Sequence, residues 1–201
     1  MPRPFSDAER EQINESLVEA ARECWERYGI RRTSVDELVR RAGIPKGTFY
    51  LFYASKELLF MEVLERSHDR IKKRLLEVLT AERGSPRERF VSAVMKLYEE
   101  IRGNGWLVSL MGNSGEYRYL LRKLPAEKIS RHIMGDDEDT AQFMQLFGLA
   151  GRISIAAVSA ALRGIFFMLL HRQEVGEEQL DSAFHLLVEG LALRIFEGEE
   201  A

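Results

Sequence analysis

The sequence predicts an all-α fold of about nine helices, and three observations carry that expectation. Apolar residues recur at helical spacing along most of the chain, and no stretch alternates with a period of two between hairpin turns. A serine followed three residues later by glutamate recurs as Ser6-Asp7-Ala8-Glu9, Ser34-Val35-Asp36-Glu37 and Ser85-Pro86-Arg87-Glu88. Each is a capping-box pattern, in which the serine oxygen accepts from an orphan backbone N–H and the carboxylate reaches back. Glycines stand where the periodic stretches stop, as residues that tolerate positive φ should. With 45% hydrophobic and 30% charged residues in 201, the composition is that of a globular protein. The single cysteine, Cys24, excludes an intramolecular disulfide and a cysteine-cluster metal site.

The expected elements follow in order. Helix one starts at Ser6, carries Ile13, Leu17, Ala21 and Cys24 on one face, and stops at Gly29. Cys24 is expected to be buried and inert. A short helix starts after Ser34 and ends at Gly43, and Pro45 opens another short one. Ser55 caps a fourth helix reaching about Ala81, roughly 40 Å long at 1.5 Å per residue, and long enough to join two domains. The fifth follows Ser85 and breaks at Gly103. Segment 106–134 reads as short helices interrupted near Pro125. Asp136 to Asp139 are expected at the N-terminus of a long helical region reaching His171, and the last helix starts near Glu177 and ends at Gly198.

The net charge is −3, but its distribution is uneven. Residues 1–26 set Arg3, Arg10 and Arg22 against seven acids. Residues 27–56 hold Arg27, Arg31, Arg32, Arg40, Arg41, Lys46 and Lys56 against only Asp36 and Glu37. One basic segment in an otherwise acidic chain is a footprint that attracts phosphates, although scattered solvated arginines would give the same count.

The two short helices around Ala42-Gly43-Ile44 have helix-turn-helix spacing. The Ala-Gly-Ile turn, the run Lys46-Gly47-Thr48-Phe49-Tyr50 and the run Ser55-Lys56-Glu57-Leu58-Leu59 resemble the TetR family of bacterial transcriptional regulators. The resemblance covers roughly residues 8–60. It implies a DNA-binding domain over 1–52 and a helical effector-binding and dimerisation domain over 53–201. It also matches Thr33, Ser34, Lys46, Gly47, Thr48, Tyr50, Tyr53 and Lys56 to the family's DNA-contacting positions.

The chemistry of those residues suits DNA on its own terms. Lys46 can donate to guanine O6 or N7, and Thr48 can bond a base edge or touch a thymine methyl. Gly47 lets backbone come close. Tyr50, Lys56 and the free N–H groups near Thr33 and Ser34 suit phosphate oxygens. Phe52-Tyr53 departs from the family's usual order, because Phe52 has nothing to donate. Tyr53 either takes over that contact or belongs to the core. Arg3 can reach a minor groove from an N-terminal arm, or simply belong to a disordered tail.

Beyond residue 60 the resemblance rests on length and helical character. Tyr98, Trp106, Met111, Tyr117, Phe143, Phe147 and Phe167 suit an adaptable apolar effector pocket, and equally suit ordinary core. Ala156, Ala160 and Gly164 recur every four residues, a face that a second helix can approach closely. With Phe184, Leu187 and Leu191 they form the expected interface of a homodimer, the alternative being packing within one chain. Arg152, Ser159 and Arg163 share a helix face that either meets an anionic ligand group or lies at a surface.

Other functions lack a pattern. His68, His132, His171 and His185 show no metal-ligand spacing, and no acid/base pair or nucleophile elbow is present, so no cofactor, metal or catalysis is expected. The N-terminus has no apolar core of signal-peptide type. The apolar run Ile153–Leu170 contains Arg163, which would cost about 2.5–3.5 kcal/mol or more at mid-bilayer, so neither membrane nor export is expected. The function expected is a cytoplasmic, ligand-responsive repressor whose homodimer binds near-palindromic operator DNA and is released by a small apolar or amphipathic effector. The alternative is a helical small-molecule binding protein with a vestigial DNA-binding head.

Overall fold

The computed structural model describes residues 5–81, 83–103, 114–147 and 153–196. Their elements are α1 (Asp7–Tyr28), α2 (Val35–Ala42), α3 (Lys46–Phe52), α4 (Lys56–Ala81), α5 (Pro86–Gly103) and α6 (Ser114–Lys123), then α7 (Ala126–Leu146), α8 (Ile155–Phe167), a 3-10 turn (Met168–His171), α9 (Arg172–Val175) and α10 (Leu180–Ile195). The described residues thus form eleven helical elements and no strand. The all-α expectation holds, and the count of about nine is corrected upward.

Local chemistry explains most boundaries. Ser6 and Glu9 complete a reciprocal capping box, as do Ser85 and Glu88. Ser34 accepts from the Glu37 N–H, but the Glu37 carboxylate does not return to the cap. It is taken by Arg40 and Arg41, which offer charge-assisted bonds. Gly43 ends α2 in the left-handed region with φ 68° and ψ 30°.

Two expectations are corrected in the second half. Asp136 to Asp139 lie inside α7 rather than at a helix start, because the break at Leu124-Pro125 lets the helix begin at Ala126. Asp137 is paired with Arg163 of α8, which also donates to Ser159. The helical region reaching His171 is divided into α7, α8 and a closing 3-10 turn; α9 follows it, and Gly176 at φ 102° separates α9 from α10. Gly148, Gly151 and Gly198 lie outside the described residues.

The chain divides into two compact units, residues 1–68 with 115–125 and residues 69–114 with 126–201. In the first, α1 packs along α2, and α2 along α3. Its core centres on Trp25 and Phe60, whose rings meet edge-to-face at 5.4 Å, with Leu17, Leu38 and Phe49 fully buried. Cys24 is a buried free thiol whose pKa is raised by desolvation, as an inert core cysteine requires. In the second unit α5 packs on α10 and α7 on α8. Phe90, Phe143, Phe147 and Phe196 form an aromatic cluster with centroid separations of 5.1 to 6.4 Å. Among the described residues no helix is long and apolar enough to cross a membrane, and no group of three or more His, Cys, Asp or Glu is placed to hold a metal ion.

Candidate nucleic-acid interface

α3 is a seven-residue helix that begins directly after Pro45, whose fixed φ of −65° prepares the first turn. Phe49 is its anchor and is fully buried. The opposite face carries Lys46, Gly47 and Tyr50, all exposed, with Thr48 half-buried beside them. Tyr50 and Leu51 are 53% and 63% exposed, unusual for large apolar side chains on one short helix. Nothing in the head lies within 4 Å of where a Gly47 Cβ would stand, so its own fold does not require glycine there. A partner that approaches the backbone would.

Lys46 is not free in this state. Its ammonium lies 2.8 Å from Asp36 Oδ1 on α2, and that bond raises its pKa, keeping the charge in place. Ser34 is exposed at the start of α2. Between it and the start of α4 lies an open concavity of about 470 Å³, bordered by Arg31, Arg32, Ser34, Tyr50 and Ser55. Cationic residues, hydroxyl-bearing residues and the N-terminus of an eight-residue helix line this hollow, with Glu57 on its border as well; the cationic and hydroxyl groups suit an anionic oxygen.

The other three expected contact residues are committed to bonds inside the head. Thr33 is only 2% exposed, and its hydroxyl donates to the Gly29 carbonyl at 2.7 Å. The Tyr53 hydroxyl donates to Asn14 Oδ1 at 2.6 Å, and burial pushes its pKa up to about 12. Phe52 lies under the Arg10 guanidinium at 5.0 Å. Lys56 Nζ donates to the carbonyls of Ile30 and Thr33 at 2.8 and 2.6 Å, and more weakly to Arg31 at 3.4 Å. Burial lowers its pKa.

The basic segment is also less bare than its composition suggests. Glu37 accepts from both Arg40 and Arg41, which holds its carboxyl at about 2, and Arg41 reaches on to Glu23 at 2.9 Å. Asp36, Glu37 and Glu23 thus shape the electrostatics of the face and Asn14 holds Tyr53, but these partnerships were not read from the sequence for any of the four. The charge count of residues 27–56 contained the signal for Asp36 and Glu37, the segment's only acids. Nothing local announces Asn14 or Glu23.

Within residues 17–63 the chain matches the family model described as bacterial regulatory proteins, tetR family. This stretch of the chain is thus similar to the DNA-binding domain of that family. α2 and α3, with the candidate face, lie inside the matched stretch. The HTH-type transcriptional regulator YuxN of Bacillus subtilis is 30% identical over 103 residues, covering 51% of this chain and 35% of that protein. The chain therefore spans about a third of the length of that relative. A tetR-like transcriptional regulator from Rhodococcus sp. RHA1 shares the fold, with a TM-score of 0.55 and 22% identity over 97% of this chain and all of that one. The FadR regulator of Bacillus subtilis, solved in complex with stearoyl-CoA, does so at a TM-score of 0.53 and 16% identity, covering 94% and 98%.

Five of the seven expected effector-pocket residues lie among the described residues. Tyr98 is buried, stacks on Phe184 at 4.0 Å and donates to Asp181. Phe143 and Phe147 belong to the separate cluster around Phe90, and Phe167 is 42% exposed. Tyr117 belongs to α6, in the unit that holds the head. Trp106, Met111, Arg152 and Arg3 lie outside the described residues.

Of the expected dimer residues, Ala156, Ala160, Gly164 and Leu187 are exposed and Leu191 is half-buried. Phe184 is corrected to core: it is fully buried against Tyr98 and Phe166 within one chain.

Proposed function

We propose that the chain is a homodimeric transcriptional repressor that reads a near-palindromic DNA operator through α3 and is released by a small apolar or amphipathic effector. The observation that carries this reading is the row of exposed Lys46, Gly47 and Tyr50, with half-buried Thr48 beside them, on a short helix anchored from behind by Phe49. Such a helix can lay its first turn in a major groove, where Lys46 donates to a guanine edge and Thr48 meets a neighbouring base. Ser34, Tyr50 and the start of α2 then hold phosphates. Thr33, Tyr53 and Lys56 act indirectly, by fixing the turn and helices that carry the contacting groups. The HTH-type name of YuxN supports the DNA assignment.

In this reading residues 1–52 form the DNA-binding part and 53–201 the effector-binding and dimerising part. Two heads must stand about 34–36 Å apart to read successive major grooves, which a dimer supplies. The exposed small residues of α8, Ala156, Ala160 and Gly164, with Leu187 on α10, are the surface assigned to it. Each lies open in the single chain. FadR binds stearoyl-CoA, a long amphipathic molecule, and supports an effector of broadly that character here. Coupling of about 1–3 kcal/mol between effector and DNA would change affinity roughly 5- to 150-fold. Contact with chromosomal DNA implies a cytoplasmic location.

The test is selection from a random duplex pool at physiological salt, with Lys46→Ala in parallel. Enrichment of a near-palindrome by the unaltered chain, lost in the variant, is the expected result. No enrichment, with or without a metabolite extract, would sink the reading and favour a helical small-molecule binding protein.

A further inference from the structure

The turn between α1 and α2 is held from two sides by groups of opposite charge. From α4 the Lys56 ammonium gathers the carbonyls of Ile30, Arg31 and Thr33. From α6, the Glu116 carboxylate accepts the Arg31 backbone N–H at 3.0 Å, across 85 residues of sequence. These are charge-assisted bonds to backbone, stronger than neutral ones, and they act on three residues of one turn, Ile30, Arg31 and Thr33. The approach of Glu116 depends on Gly29. A Cβ there would stand 3.1 Å from the carboxylate, and the backbone at φ 78° is one that side chains rarely adopt.

The two arms of this grip are tied to each other. The Tyr119 hydroxyl, one turn beyond Glu116, donates to Glu57 at 2.8 Å, and Glu57 follows Lys56 in α4. The Arg31 guanidinium lies over the Tyr119 ring at 5.9 Å. Leu120 is fully buried and Leu124 nearly so, which seats α6 in the head. Residues 115–125 therefore pack with the head, although the segments on either side of them in sequence belong to the second unit. Chain leaves the head for that unit at α4, past His68, and at Pro125.

We propose that Glu116, acting with Lys56, is a positioning residue that sets the α1–α2 turn and through it the DNA affinity of α2 and α3. The proposal rests on the reading of the head as a DNA-binding module and names a control point within it. Residues 31–33 run directly into Ser34, the cap of α2, so the pose of the turn is the pose of the helix start that faces the phosphate hollow. Displacement of α6 withdraws Glu116 and frees the Arg31 amide. The head then binds with ordering still to be done, and affinity falls at every DNA sequence alike.

Glu116→Ala, which removes the acceptor, tests this in the full-length chain, and Glu116→Gln, which keeps a carbonyl acceptor, is the conservative variant expected to restore most of the unaltered behaviour. Amide hydrogen exchange of the DNA-free Ala variant should show residues 30–33 exchanging about ten-fold faster or more, with the Trp25 and Phe60 core unchanged. DNA affinity should fall about five-fold or more, while the slope of log affinity against log salt stays the same, because no phosphate contact is removed. A general loss of folding would instead raise exchange throughout the head, and the Gln variant guards against that. Unchanged exchange in the turn, or unchanged affinity despite faster exchange, overturns the proposal. If the unaltered chain selects no DNA while Lys46→Ala behaves identically, the DNA reading itself fails. The affinity claim then falls with it, and exchange still decides whether the clamp exists.

Discussion

The Lys46 ammonium is bound by the Asp36 carboxylate at 2.8 Å, so the foremost cation of α3 is already paired before any nucleic acid arrives. Both side chains are exposed, and such a pair is weak and salt-sensitive. A DNA phosphate or base edge can therefore displace Asp36, but the carboxylate remains nearby as a repelling charge. Asp36→Asn is expected to raise DNA affinity by about two- to five-fold at low salt, and by less at high salt. Lys46→Ala is expected to lower it and to reduce the salt slope by about one. Titration of labelled duplex over a range of salt checks both, and an Asp36→Asn variant that binds more weakly would refute the first.

Glu37 makes the head acid-sensitive. Its carboxyl is held at about 2, against an ordinary 4.5, by bonds from Arg40 and then Arg41. The folded value lies below the unfolded one, so the stabilisation is present above about pH 4.5 and is lost as pH falls toward 2. Urea unfolding followed across that window should show a shallower acid limb for Glu37→Gln than for the unaltered chain. Parallel limbs would show that the pair contributes nothing to stability.

Gly29 and Gly43 should respond differently to alanine. Gly43 is left-handed with open space around its Cα, so Gly43→Ala should cost only the backbone penalty of about 1–2 kcal/mol. Gly29 adds the close approach of Glu116 to a backbone near ψ 166°, outside any helical region. Gly29→Ala should therefore cost more, and should also speed exchange at Arg31. Equal unfolding free energies for the two variants would contradict this.

Phe184 and Leu187 separate core from surface on one helix. Phe184→Ala should lower unfolding free energy by about 3–5 kcal/mol, since the ring is fully buried against Tyr98. Leu187 is 46% exposed, and Leu187→Lys should change the unfolding free energy of the isolated chain by no more than about 0.5 kcal/mol. It should nevertheless weaken self-association in sedimentation velocity. A Leu187→Lys chain that associates as before would remove α10 from the proposed interface.

How much was legible varied with the range of the interaction. The caps at Ser6 and Ser85 and the stops at Gly29 and Gly43 were readable, because each depends on neighbours within four residues. Acids near Ser34 looked like a capping box, yet Glu37 turned to Arg40 and Arg41, because three donors were within reach of one carboxylate. Asp136 to Asp139 looked like a helix start for the same local reason, and Pro125 moved that start ten residues earlier.

Sequence alone determined the all-helical class and the helix-turn-helix, since periodicity, caps and glycine stops specify short amphipathic helices. Only the tertiary structure decided the state of each polar head group. Thr33, Tyr53 and Lys56 have the donors a phosphate wants, but Gly29, Asn14 and the carbonyls of the α1–α2 turn were closer. Phe184 likewise has the period of an interface residue and the surroundings of a core one. A side chain's type shows what it can bond, whereas its partner is set by which groups the fold brings within about 3 Å, and groups as distant in sequence as Arg31 and Glu116 meet only once the chain has folded.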